Sequence, residues 1–205
     1  MSLAARLPRG RQAQKTLQTQ ENILTAVVAL ICEGGYAAAS SSQIARRAGV
    51  SWGAVQHQFG SKEQLLLQVI QRSFDTLNAS LAEPGLREGG LDQRVGAFVD
   101  ALWAHHSKDI GWASLEIILA LRREPRTQQQ AHLASLQISE SCTASMREIF
   151  ADCALSDEQV LDALIFMHSA LQGLSIQDVF DVEPAYLARH IKRLKQVLYA
   201  MLSGY

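Results

Sequence analysis

Three cysteines, four prolines and 6% aromatic residues are few for 205 positions, and each scarcity excludes something. Cys32, Cys142 and Cys153 are odd in number, far apart and without a Cys-x-x-Cys pair, which argues against a disulfide framework or a zinc site. They read as small buried thiols. None of the prolines sits at a hairpin position, and no stretch sustains the alternation of a half-buried strand. An all-α fold is therefore expected. No apolar run reaches the roughly 18 residues that cross a bilayer. The N-terminus lacks an apolar core followed by a cleavage site, so the expected location is the cytoplasm, with no membrane partner.

What the chain does have is apolar content of 48%, enough for a substantial core, and a net charge of -1 that hides an asymmetry. Up to Lys62 there are seven Lys and Arg residues against two Glu, a balance of +5, which leaves -6 for the remainder. A basic head on an acidic body suits a protein that offers one end to a polyanion.

Within that head, Ser40 to Lys62 carries the densest signal. Two short helical patterns, Ser42 to Ala48 and Trp52 to Gln58, flank Gly49-Val50-Ser51, and Gly49 allows the positive φ of a sharp interhelical turn. Ile44, Ala45, Ala48, Val50 and Val55 fall where two steeply crossed helices touch. The opposite face carries Ser42, Arg46, Arg47, Ser51 and Trp52, then Ala54, Gln56, His57 and Gln58, side chains that donate to phosphates or reach base edges. Lys62 opens the next helix, where backbone amides and the helix dipole attract a phosphate. This is a helix-turn-helix with double-stranded DNA as its partner.

The flanking segments make the pattern more specific. Residues 1–17, with Arg6, Arg9, Arg11 and Lys15, read as a flexible basic arm, either tracking phosphates or merely solubilising. A helix starts at about Thr19 and ends at Gly34-Gly35. Ser61 and Gln64 form a capping box for a fourth helix, Lys62 to about Ala82. The string from Gly35-Tyr36 through Ser42 to Phe59 and on to Gly60-Ser61-Lys62-Glu63-Gln64-Leu65-Leu66 closely resembles the N-terminal domain of TetR-type (tetracycline-repressor-like) transcriptional regulators. The resemblance covers about Gln20 to Ile70. One position departs from the family: Gln56 stands where a backbone-contacting Tyr is usual.

The rest reads as a helical body. Glu83 to Gly90 is a linker, followed by helices at Leu91 to Ser107, Trp112 to Arg123, Thr127 to Cys153, Ser156 to about Val179, and from Pro184 on. The expected organisation is an arm (1–17), a DNA-binding domain (18–62) joined through helix 62–82, and a larger domain (83–205), about nine helices in all. In the penultimate helix Ala163, Met167, Ala170, Gly173 and Leu174 make a small-and-large stripe suited to close helix approach. In the last, Leu187, Ile191, Leu194, Leu198 and Met201 recur in steps of four and three, a helix-pairing seam. Pattern and resemblance together point to a homodimer built from these two helices.

Trp103, His106 and Trp112, with Glu116, Phe150, Phe166 and His168, lie on helices able to enclose an apolar cavity holding a few polar groups, the composition of a small-ligand site. Glu116 stands out because it interrupts an apolar run, and a buried unpaired carboxylate is expensive. The resemblance implies a repressor bound to a palindromic operator and released when a ligand shifts the fourth helix. A ligand-independent regulator or architectural protein is the alternative reading. An enzyme is disfavoured: His105-His106 with Asp100 and Asp109 lacks metal-ligand spacing, and no cofactor is expected.

Overall fold

The computed structural model describes residues 10–122, 129, 140–180 and 183–204, and these are helical with no strand among them. Residues 1–9, and the stretch of the Thr127 to Cys153 helix before residue 140 except residue 129, lie outside the described residues. The chain divides into two compact units: residues 1–70 with 113–121, and residues 71–112 with 122–205.

The first unit holds α1 (Arg11–Gly34), α2 (Ser41–Ala48), α3 (Trp52–Phe59), the start of α4 (Lys62–Leu81) and most of α6 (Asp109–Leu121). Helix α1 begins eight residues ahead of the expected Thr19, so the basic segment is helical from Arg11. Its early turns carry Arg, Gln, Ala, Lys and Leu, all good helix formers without an apolar stripe, so propensity rather than periodicity extends it. Thr19 is no cap: its hydroxyl donates to the Lys15 carbonyl four residues back, at 2.8 Å. Further along, Ile23, Val27 and Ile31 of α1, Ile44 of α2, Val55 of α3, Leu65, Leu66 and Val69 of α4, and Ala113 and Ile117 of α6 are all buried.

The second unit is centred on α5 (Leu91–His106), α8 (Asp157–Asp178) and α9 (Pro184–Leu202), which pack on one another. A helix over 140–149, α7, and the end of α4 complete it. Its core joins Leu77, Phe98, Leu102, Met146, Phe150, Leu164, Leu171 and Leu202. Buried Arg94 ties α5 to the end of α7, donating to the Ile149 carbonyl at 2.7 Å and to both Asp152 oxygens at 2.7 and 2.6 Å. The Ser156 hydroxyl and the Gln159 side chain form the expected capping box of α8.

Several boundaries differ from expectation. The linker contains a short 3-10 turn, Pro84–Arg87. Helix α6 starts at Asp109, so Gly111 lies inside it; a Cβ there would sit 2.2 Å from the His105 carbonyl oxygen, and only glycine lets the α5 to α6 corner close so tightly. Residues 113–121 join the first unit and not the body. Cys32 is exposed, whereas Cys142 is buried.

Four of the residues assigned to subunit pairing are core residues of their own chain. Ala163, Met167, Leu187 and Leu198 are buried, and Leu174, Ile191, Leu194 and Met201 pack against the same core. The repeat in α9 is thus mainly an intrachain seam, because α5 and α8 supply its partners. Gly173 is exposed and Ala170 partly so.

Candidate nucleic-acid interface

Local chemistry fixes the interface. Ser40 is the N-cap of α2, its hydroxyl accepting from the Gln43 amide at 3.4 Å. Gly49 closes α2 in the left-handed conformation (φ 69°, ψ 30°), and its amide turns back to the Ala45 and Arg46 carbonyls. The Val50 amide reaches the Ala45 carbonyl at 3.0 Å. The next residue, Ser51, caps α3, accepting from the Ala54 amide at 3.2 Å. Ile44, Ala45 and Val55 are buried beneath this turn.

The outer face is then determined. Ser42, Arg46, Arg47, Ser51, Gln56 and His57 are exposed, while Trp52, Ala54 and Lys62 are half-buried. Ser61 and Gln64 form their reciprocal pair at 2.9 and 3.2 Å, which seats Lys62 in the first turn of α4. The Lys62 ammonium lies 5.2 Å from the centre of the Tyr36 ring.

Two of these side chains have local duties. The Ser51 oxygen is engaged as a cap, which leaves its hydroxyl proton to donate. Arg47 grips Glu33 of α1 with both guanidinium nitrogens, one at 2.8 Å, and this pairing holds the Glu33 carboxyl below its ordinary range. Arg47 also borders a shallow cavity of about 310 Å³ lined by Asn22, Thr25, Ala26, Ala29 and Ala48.

The seven residues expected around a ligand are divided between the two units. Glu116 belongs to the first unit, where its Oε2 accepts from the Tyr36 amide at 2.7 Å. Phe150 is a core residue, edge-on to Phe98 at 5.6 Å. Phe166 is 44% exposed, its side chain facing away from the core that Met167 enters. Trp103 packs against the core of the second unit, and Trp112 is half-buried.

His106 and His168 do meet, Nε2 to Nδ1 at 3.0 Å, with the His105 ring 5.2 Å from that of His106. Burial pushes His106 down to about 3 and both His105 and His168 to about 4, so all three are neutral at pH 7. Among the described residues, no group of three or more His, Cys, Asp or Glu side chains is placed to hold a metal ion. No helix among them is long and apolar enough to cross a membrane.

Sequence reasoning missed the Glu116 to Tyr36 bond, and the odd carboxylate in an apolar run was its only signal. It also missed the exposed apolar residues of α8, where Leu161, Ile165 and Ile176 accompany Phe166 at the surface, and Phe180 just past the helix end.

Comparison with known proteins agrees with this geometry. The family described as "Bacterial regulatory proteins, tetR family" matches residues 23–69. The HTH-type transcriptional regulator CymR of Pseudomonas putida is 24% identical over 180 residues, covering 84% of this chain and 85% of that protein. The HTH-type transcriptional repressor KstR of Mycolicibacterium smegmatis is 32% identical over 93 residues, 45% of each chain. Among solved structures, the fatty acid degradation regulator FadR from Bacillus halodurans shares the fold, with a TM-score of 0.68 at 18% identity, covering 88% of this chain and 94% of that one. The helix-turn-helix of residues 41–59 lies inside the family match, so residues 23–69 resemble the DNA-binding domain of tetR-family regulators, and the chain shares its fold with solved regulator structures.

Proposed function

We propose that the protein is a repressor that binds an approximately palindromic operator as a homodimer and releases it when a small molecule binds the body. The observation that carries the DNA reading is the single outer face of α2 and α3, on which Ser42, Arg46, Ser51, Gln56 and His57 are exposed above a buried apolar contact. Trp52, Ala54, Gln56 and His57 are the candidates for base and sugar contacts. Ser42, Ser51, Arg46 and Lys62 are the candidates for phosphates. Gln56, in place of the usual Tyr, adds a group able to pair with an adenine edge.

Two-fold pairing follows from contact area, since one helix-turn-helix discriminates weakly and two on half-sites about 34 Å apart do so far better. The exposed apolar residues of α8 support such pairing: Leu161, Ile165 and Ile176 lie along the helix on either side of Gly173, where an added Cβ meets nothing, and Phe180 is exposed just past its end. This face replaces the buried seam as the pairing surface, with Tyr199 of α9 exposed as well. Repression is the activity named for KstR. TetR-family regulators bind small-molecule effectors, and Trp103, His106 and His168 remain the candidates here. A regulator of this kind works where the chromosome is, in the cytoplasm.

Titrating labelled duplex DNA with the protein at rising salt tests the DNA reading. The log of the affinity is expected to fall linearly with log salt, by about 0.9 per phosphate neutralised. A flat response contradicts it.

A further inference from the structure

We infer that Glu116 is a positioning residue for DNA binding, acting through the hydrogen bond from the Tyr36 amide to its Oε2 at 2.7 Å. The inference rests on the DNA-binding reading above and adds a residue that lies 47 positions beyond the last residue of the family match.

The need for this bond arises at the junction of α1 and α2. A 3-10 turn, Tyr36–Ala38, follows α1, and the residue before it is Gly35, which has no side chain to cap the turn. Other donors of the junction are satisfied locally: Gly35 reaches the Ile31 carbonyl at 2.7 Å, Ala38 the Gly35 carbonyl at 2.9 Å and Ala39 the Tyr36 carbonyl at 3.2 Å. The Tyr36 amide sits at the start of the turn, where a backbone donor away from water needs an acceptor. Glu116 supplies the acceptor from eighty residues away, and a carboxylate makes this a charge-assisted bond, stronger than a neutral one.

Its position bears on the interface from two directions. The turn runs through buried Ala39 into Ser40, the cap of α2, so its orientation sets how α2 enters the helix-turn-helix. The Tyr36 ring also lies beneath the Lys62 ammonium, a candidate phosphate contact. Glu116 is held in place by its own helix, whose neighbouring Ala113 and Ile117 are fully buried. A structural account of Glu116 as simple core filling would put a Leu there; a carboxylate oxygen aimed at one backbone amide is a positional device.

The test uses the full-length chain and three substitutions: Glu116→Ala, Glu116→Leu and Glu116→Gln. Hydrogen exchange at the Tyr36 amide, read well below the melting temperature, reports the bond without DNA. Fluorescence anisotropy on a duplex selected by the wild-type protein reports the consequence. Glu116→Ala and Glu116→Leu are expected to speed Tyr36 exchange and to weaken binding, each about tenfold. Glu116→Gln, whose Oε1 still accepts, is expected to restore most of both even if the other variants melt early. Unchanged Tyr36 exchange in Glu116→Ala, unchanged binding despite faster exchange, or Glu116→Gln no better than Glu116→Ala would each overturn the inference. If the wild-type protein binds no DNA, the proposed function fails instead, and the exchange comparison still decides whether Glu116 holds Tyr36.

Discussion

His106 and His168 lie with Nε2 and Nδ1 3.0 Å apart inside the second unit, and both rings are held neutral there. One ring must donate and the other accept, so the bond exists only while at least one of them is unprotonated.

Stability should therefore depend on pH in a definite direction. His105, His106 and His168 titrate near 6.5 when unfolded but at about 4, 3 and 4 when folded. Between these limits the unfolded chain binds more protons, so stability is complete above about pH 6.5 and is lost as the pH falls towards 4. Each histidine contributes up to about 1.4 kcal/mol per pH unit in that window. Thermal melts are expected to drop by roughly 10 °C between pH 7.5 and 5.5. Replacing His106 and His168 together by Leu should flatten that dependence, and an equally steep dependence in the double variant would refute the assignment.

Two glycines of the second unit should respond oppositely to Ala. At Gly111 the new methyl would lie 2.2 Å from a backbone carbonyl oxygen, which cannot swing aside as a side chain can. Gly111→Ala is expected to destabilise by about 1 to 3 kcal/mol in chemical denaturation. Gly96, inside α5 with nothing within 4 Å of an added Cβ, should gain about 0.5 to 1 kcal/mol from the better helix former.

The Arg47 to Glu33 pair separates two neighbouring arginines by role. Arg47 is committed to Glu33, whereas Arg46 is exposed on the outer face of α2. Arg46→Ala should weaken DNA binding several-fold more than Arg47→Ala, and Glu33→Gln should tighten it by freeing Arg47 and removing a negative charge. Affinities at one fixed salt concentration check all three, and equal losses for the two arginines would contradict the assignment.

Met167 and Ile165 sit two residues apart on α8 yet should fail in different ways. Met167 is fully buried, so Met167→Ala is expected to cost about 2 to 5 kcal/mol of folding stability. Ile165 is 55% exposed, and Ile165→Glu should leave the fold intact while shifting sedimentation from dimer to monomer. A folded Ile165→Glu dimer would place the pairing surface elsewhere.

The helix-turn-helix was legible in the sequence because every signal there is local: Ser40, Ser51 and Ser61 cap, Gly49 turns, and Ile44, Ala45 and Val55 mark the buried face. The body was legible only as helices. A stripe such as Leu187 to Met201 says that a face is covered, not whether the cover is α5 of the same chain or α8 of another, and here the intrachain partner accounts for most of it. The first turns of α1 were missed because solvent-exposed helix carries no periodicity. Glu116 stands out by its cost in an apolar run, but that signal suggests a ligand site and not a bond to Tyr36. Its partner was invisible because a backbone amide eighty residues away leaves no mark on composition or spacing.

Selecting bound sequences from a random DNA pool tests the central claim most directly, because it probes binding, palindromy and spacing at once. The expected result is an enriched inverted repeat with half-sites about one helical turn apart, bound by a two-fold assembly and lost in Gln56→Ala with His57→Ala. Enrichment of a non-repetitive site bound by a single chain, or of no sequence at all, would contradict it.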